Sequence, residues 1–248
     1  MPNWNTALWI VAASVLATAA VPPDELATTS IAVDGRWAGA DDVDRLVAPY
    51  RAEVEREIRR VLARAPQTIE SGKPEGPLGN LLADAMLDAA LEATGARVDI
   101  AFSNSGGIRN IIPAGDVTVG TVFEVMPFDN TIVVFDLPGT ALKSMLDSMA
   151  ARGGDPIAGV RYVIRRGHAV QITLKGKPLD EKTIYRVATS DYVFDGGGRY
   201  AGMHAASRIV RTNVMIRDAL MAKISALAGP GGVLTLSGDG RIRGEVAK

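Results

Sequence analysis

The sequence contains no cysteine, which removes disulfides, thiol nucleophiles, zinc–thiolate sites and lipid-modified cysteines from consideration. It has only two histidines, His168 and His204, and neither lies in a ligand-spaced cluster. A metal site within this chain is therefore not expected, and neither is a serine hydrolase, whose nucleophile needs a base within reach. Charge of one sign is also lacking: 27 basic residues face 28 acidic ones, for a formal net charge of −1. No global field draws such a chain to nucleic acid or to an anionic membrane, and no apolar run is long enough for a stable membrane span. What the 248 residues do have is 47% hydrophobic content with 22% charged, enough for one large core or two smaller ones.

The first 20 residues differ from the rest. Ala7–Leu16 is an apolar stretch as long as a signal-peptide core, and Ala17-Thr-Ala19 supplies a small-residue cleavage site, although no Lys or Arg precedes it. Residues 1–20 are read as a signal peptide, 21–39 as a linker containing Pro22-Pro23, and 40–248 as one domain. The expected location is the periplasm or the medium.

Val43, Leu46, Val47, Tyr50, Val54, Ile58, Val61 and Leu62 recur at three- and four-residue steps, which predicts one amphipathic helix with a buried stripe and a solvated face carrying pairs such as Glu55 and Arg59. A second helix is expected from Pro77 to Leu91, stopped at Gly95. Short β-rich runs follow at 98–102, 131–137, 161–165, 170–174 and 185–190, with helices at 140–152 and 214–227; His168 reads as part of a hairpin turn. Helices and strands mix without regular alternation, which favours an α+β fold with a mixed sheet and flanking helices.

Four segments carry chemistry. Asn104-Ser-Gly-Gly-Ile-Arg109 places an amide and a guanidinium on a glycine-rich turn after an apolar strand; glycine permits close approach and Arg offers a planar fork of donors for an anion. In Met126-Pro-Phe-Asp-Asn130, Phe128 stands beside polar side chains at a strand start, where a ring can stack on a planar base. In the 188–200 segment a strand leads into three consecutive glycines, Gly196-Gly197-Gly198, with Tyr192, Phe194 and Asp195 just before them. Glu75–Asn80 opens the second helix, whose free N–H groups suit an anion. Taken singly, each is as readily a plain turn, core residue or helix start.

Together, in this order and with Gly120–Phe128 and Gly238–Ile242, the segments resemble the C-terminal domain of the metal-dependent 5'-nucleotidases and UDP-sugar hydrolases over roughly residues 40 to 245. The resemblance implies a domain that binds the nucleoside part of a nucleotide substrate, while a separate N-terminal metallophosphatase domain holds two divalent metals and performs hydrolysis. It assigns Asn104, Gly107 and Arg109 to substrate contact, Phe128 and Tyr192 to the two plates of a base clamp, and Asn130 and Gly197 to its surroundings. Tyr192 stands where Phe is usual, a change that preserves stacking.

Two departures stand out. The family's ribose-binding Asp is replaced by Gly198, leaving Asp195 as a weak substitute. The arginines that usually precede the second helix are represented by Lys73 alone, which keeps charge but loses the bidentate fork. The metal-binding motifs are absent, and the residues before position 40 are too few for a metallophosphatase fold. The chain is thus expected to recognise a nucleotide in nucleotide catabolism and to hydrolyse it only with a metallophosphatase domain or protein supplied separately; it has no catalytic residue, metal or cofactor of its own. The alternative is a stand-alone exported nucleoside- or nucleotide-binding module.

Overall fold

A computed structural model describes residues 30–32, 34, 40–229 and 232–244. The signal-peptide segment 1–20 lies outside the described residues, as does the linker apart from 30–32 and 34. The chain divides into two units, residues 1–46 and 47–248. Residues 41–46 of helix α1 (Asp41–Ile58) fall in the first unit, and the rest of that helix and every later element belong to the second.

Helix α1 departs from the sequence expectation. It stops at Ile58, and Val61 and Leu62 open strand β1 (Val61–Ala65). The carbonyl of Arg60 accepts the N–H of Val119, and Val61 pairs with Thr118 of β3 (Gly115–Thr118), so these residues enter a ladder where the stripe would have them continue a helix. The expected burial is also absent: no residue of α1 is buried, and Leu46 and Tyr50 are 70% and 68% exposed. The Glu55–Arg59 pair is present at 3.7 Å on the exposed surface.

Helix α2 (Pro77–Thr94) matches its sequence signals. Pro77 occupies the first turn, where its missing N–H costs nothing, and Gly95 ends the helix in the left-handed region at φ 58°. After it come β2 (Ile100–Phe102), α3 (Val119–Val125), β4 (Thr131–Pro138), α4 (Gly139–Ala151), β5 (Ile157–Ala158), β6 (Val160–Arg165), β7 (His168–Leu174), β8 (Lys177–Pro178) and β9 (Ile184–Ser190). Next are α5 (Asp191–Phe194), β10 (Ser207–Met215), α6 (Ile216–Ala228) and β11 (Ile242–Gly244). The hairpin turn between β6 and β7 is Arg166-Gly167, both at positive φ, and His168 begins β7.

The central five-stranded sheet has the order β10-β4-β9-β2-β5, with β2 and β9 parallel and the remaining pairs antiparallel. A four-stranded sheet, β11-β6-β7-β8, and the β1-β3 pair complete the fold, which is α+β. Successive strand residues point to opposite faces, and β4 shows the result. Ile132 and Val134 join a core with α2 and α6, while Val133, Phe135 and Leu137 join a second core with α4 and the four-stranded sheet. Covered on both sides, β4 reads as a continuous apolar run.

Candidate functional site

Sheet topology brings three of the four chemical segments to one edge. The parallel strands β2 and β9 end there, carrying the chain into Asn104 and Tyr192; β4 runs antiparallel to β9 with Ile132 opposite Ser190, so its start, just after Asn130, lies at the same edge. Strand β10 returns to this edge and hands over to α6, whose first N–H, from Ile216, donates to the carbonyl of Asn130. The carboxyl ends of parallel strands are where open α/β sheets place ligands.

Asn104, Gly106, Gly107, Arg109, Phe128, Asn130 and Tyr192 line an open cleft at this edge. The turn begins with a single 3₁₀ turn, Ser105–Gly107, packed closely enough that a Cβ at Gly106 would come 3.3 Å from the Asn104 amide nitrogen and require that side chain to shift slightly. The backbone N–H of Arg109 donates to the carbonyl of Val125, and its guanidinium stands 5.0 Å from the centre of the Phe128 ring. Phe128 and Tyr192 are 36% and 55% exposed. Two rings with free surface, two amides and a cation against one ring make a surface suited to a planar aromatic group bearing negative charge.

Three residues named from the sequence lie elsewhere. Lys73 lines a neighbouring cavity on the other side of Ser105; its ammonium donates to Ser105 Oγ at 3.0 Å and to the Gly154 carbonyl, and lies 3.6 Å from Asp155. Asp195 accepts both terminal nitrogens of Arg211, at 3.1 and 2.5 Å, and this guanidinium holds its carboxyl below the usual range. Gly197 packs under Tyr192, whose ring would be 2.4 Å from a Cβ added there. Gly198 has φ 83°, and its missing Cβ faces the Tyr200 ring at 2.7 Å. At the start of α2, the Leu78 N–H already donates to the Glu70 carbonyl and the Asn80 N–H to that of Gly76, leaving little of the expected anion site.

Two supporting residues are not legible in the sequence. Arg217, 7% exposed on α6, binds Asp129 and the Phe128 carbonyl and stacks over Phe123. Asp155, 5% exposed in the α4–β5 connection, binds both Ser105 and Tyr200. A lone Asp after two glycines, or a lone Arg in an amphipathic helix, carries no signal that separates it from solvated surface.

Side chains capable of chemistry are otherwise engaged. Ser105 Oγ donates to Asp155 and Ser190 Oγ caps α5, accepting the Val193 N–H; Asp99 pairs with Arg97 and accepts the Arg186 N–H, and Asp191 accepts from Thr131 and from the Tyr192 N–H. Ser103, 2% exposed, lies inside the fold. His168 sits 3.7 Å from Asp147 on β7, and His204 is in a short 3₁₀ turn, Met203–Ala205. Among the described residues no group of three or more His, Asp or Glu could hold a metal ion. The residues present do not fit a dinuclear metal site, which needs several such ligands around two cations.

The family model for the 5'-nucleotidase C-terminal domain matches residues 53–205. The chain belongs to this family. It is 41% identical over 149 residues to the trifunctional nucleotide phosphoesterase protein YfkN of Bacillus subtilis, covering 54% of this chain and 10% of that protein. With the protein UshA of Escherichia coli the identity is 32% over 144 residues, covering 56% of this chain and 26% of the relative. The 5'-nucleotidase precursor from Thermus thermophilus superposes with a TM-score of 0.68 at 28% identity, over 82% of this chain and 43% of that one. This 5'-nucleotidase C-terminal domain thus spans less than half the length of each of these relatives. None of its described helices is long and apolar enough to cross a membrane.

Proposed function

We propose that this chain is the nucleotide-recognition part of a 5'-nucleotidase-type phosphoesterase, exported and acting in nucleotide catabolism. The observation that carries the reading is the convergence of Asn104, Gly107, Arg109, Phe128, Asn130 and Tyr192 on one cleft. The base stacks between Phe128 and Tyr192, the amides of Asn104 and Asn130 meet its polar edge or the sugar, and Arg109 takes the phosphate, for which its planar fork is suited. The names of the relatives, a nucleotide phosphoesterase and a 5'-nucleotidase, support the same ligand class. Export rests on the signal-like segment 7–19.

In this reading hydrolysis uses two metals held by a metallophosphatase domain outside this chain, since among the described residues no group of His, Asp or Glu could hold them. No step of the reaction is assigned to it; the chain binds and orients. Calorimetry with AMP, adenosine and a UDP-sugar tests the binding, and phosphate release with added manganese tests for turnover. The expected result is saturable binding of AMP without sustained phosphate release by the chain alone. Failure of every ligand at millimolar concentration overturns the reading. A stand-alone binding module shares this cleft and differs in one outcome, that adding a metallophosphatase domain produces no turnover.

A further inference from the structure

Asp155 lies behind the cleft, and its side chain is 4% exposed. Its carboxylate accepts five hydrogen bonds from three directions. The backbone N–H and hydroxyl of Ser105 reach Oδ1 at 3.1 and 2.7 Å. The Tyr200 hydroxyl reaches Oδ2 at 3.1 Å, and Arg152 reaches the same oxygen through Nε at 3.4 Å and Nη2 at 3.2 Å. The ammonium of Lys73 adds a second cation at 3.6 Å.

These donors do not line the cleft themselves but are joined to its two walls. Ser105 stands between Asn104 and Gly106, both of which line it. Tyr200 closes the glycine loop in which Gly197 packs under Tyr192, and Arg152 ties that loop further by donating to the Gly198 carbonyl at 3.2 Å and stacking 4.2 Å over the Tyr200 ring. A buried carboxylate is a costly way to fill space, because apolar residues of similar volume pack there at no desolvation penalty; what a fully satisfied charge adds is a fixed geometry for its donors. We infer that Asp155 is a positioning residue that sets the spacing between the Asn104–Arg109 wall and the Tyr192 wall. It touches no ligand, and it acts through Ser105 on one side and through Tyr200 and Arg152 on the other.

The inference rests on the nucleotide reading of the cleft, and its test separates the two. Ser105→Ala and Tyr200→Phe each remove one bond to Asp155, one from each wall, and both leave the carboxylate itself in place so that the fold survives. Calorimetric titration of the full chain with AMP is compared for the unmodified protein, each single variant and the double variant, with the thermal midpoint of each measured alongside. Each single variant is expected to bind AMP about three- to tenfold more weakly, the size of one lost hydrogen bond. The double variant is expected to bind about as weakly as either single variant, because a spacing lost from one side is not lost again from the other and two residues that share one partner are coupled. Unchanged AMP affinity in the variants, or losses that multiply and follow the thermal midpoints, overturns the positioning role and leaves the nucleotide reading standing. Absence of AMP binding by the unmodified chain overturns the nucleotide reading and this inference with it.

Discussion

Arg217 and Asp129 are joined at 2.7 Å directly behind the segment that presents Phe128 and Asn130. The pair is lopsided: the arginine side chain is 8% exposed and the aspartate 75%. A buried guanidinium with one exposed carboxylate partner, one long bond to the Phe128 carbonyl and the Phe123 ring beneath it depends on that partner for neutralisation. Removing the aspartate leaves the charge buried and unpaired, whereas losing an ordinary surface pair costs almost nothing. Asp129→Ala is therefore expected to lower the unfolding free energy by about 1–3 kcal/mol, read from the midpoint of a urea transition at unchanged slope. An unaltered midpoint would show that Arg217 relaxes into solvent and does not hold the segment.

The ring surfaces of the cleft give a second expectation. Phe128→Ala and Tyr192→Ala each remove one stacking plate and should weaken AMP binding by about 1–3 kcal/mol, the worth of a base–aromatic contact. Tyr192→Phe keeps the plate and should bind within about twofold of the unmodified chain, a difference below about 0.5 kcal/mol. Calorimetry of the three variants decides it, and a large loss in Tyr192→Phe would mean that the phenol hydroxyl, not the ring, makes the contact.

Sugar recognition should be weak. A ribose diol is commonly read by a carboxylate, and among the described residues none lines the cleft. Asp195 would have to exchange two charge-assisted bonds from Arg211 for two hydroxyl bonds, with little net gain. AMP and 2'-deoxy-AMP are expected to bind within about threefold of each other, less than the worth of one net hydrogen bond. A tenfold preference for AMP in side-by-side titrations would show that a carboxylate does reach the sugar. Gly198→Asp is not expected to restore such a contact. Its Cβ would meet the Tyr200 ring at 2.7 Å on a backbone with φ 83°, so the variant should lose thermal stability.

Much of this site is legible in the sequence because its members sit next to strands with strong apolar signatures. Asn104, Phe128 and Tyr192 each follow or precede a run that reads as β, and the glycines mark the turns between. The spacing of Val61 and Leu62 misleads because the same apolar residues satisfy a three-to-four step and a short strand equally well; the pairing with β3 decides between them. Strand β10 is invisible for a related reason. Ser207–Arg211 is exposed and mixed in polarity at the edge of the sheet, so only its backbone ladder with β4 makes it a strand. Lys73 and Asp195 look like ligand contacts from their position in the chain, but a charge goes to the nearest opposite charge in space, and Asp155 and Arg211 lie far from them in sequence.

The buried hydroxyls around Asp155 make alkaline stability a test of that network. Burial, and after it the Asp155 carboxylate, push the phenols of Tyr162 and Tyr200 above their usual range. In the unfolded chain both ionise near pH 10, about the ordinary tyrosine value, while the folded chain keeps its protons. Above that pH the unfolded state binds fewer protons than the native one, so stability falls as pH rises; below it the contribution is fully present. The thermal midpoint should thus decline as pH rises above about 10, the ordinary tyrosine value, and the decline should be shallower in Tyr200→Phe, which has one raised phenol fewer. An identical slope in the variant would mean that Tyr200 ionises as freely in the folded chain as in the unfolded one, and that its bond to Asp155 does not persist in solution.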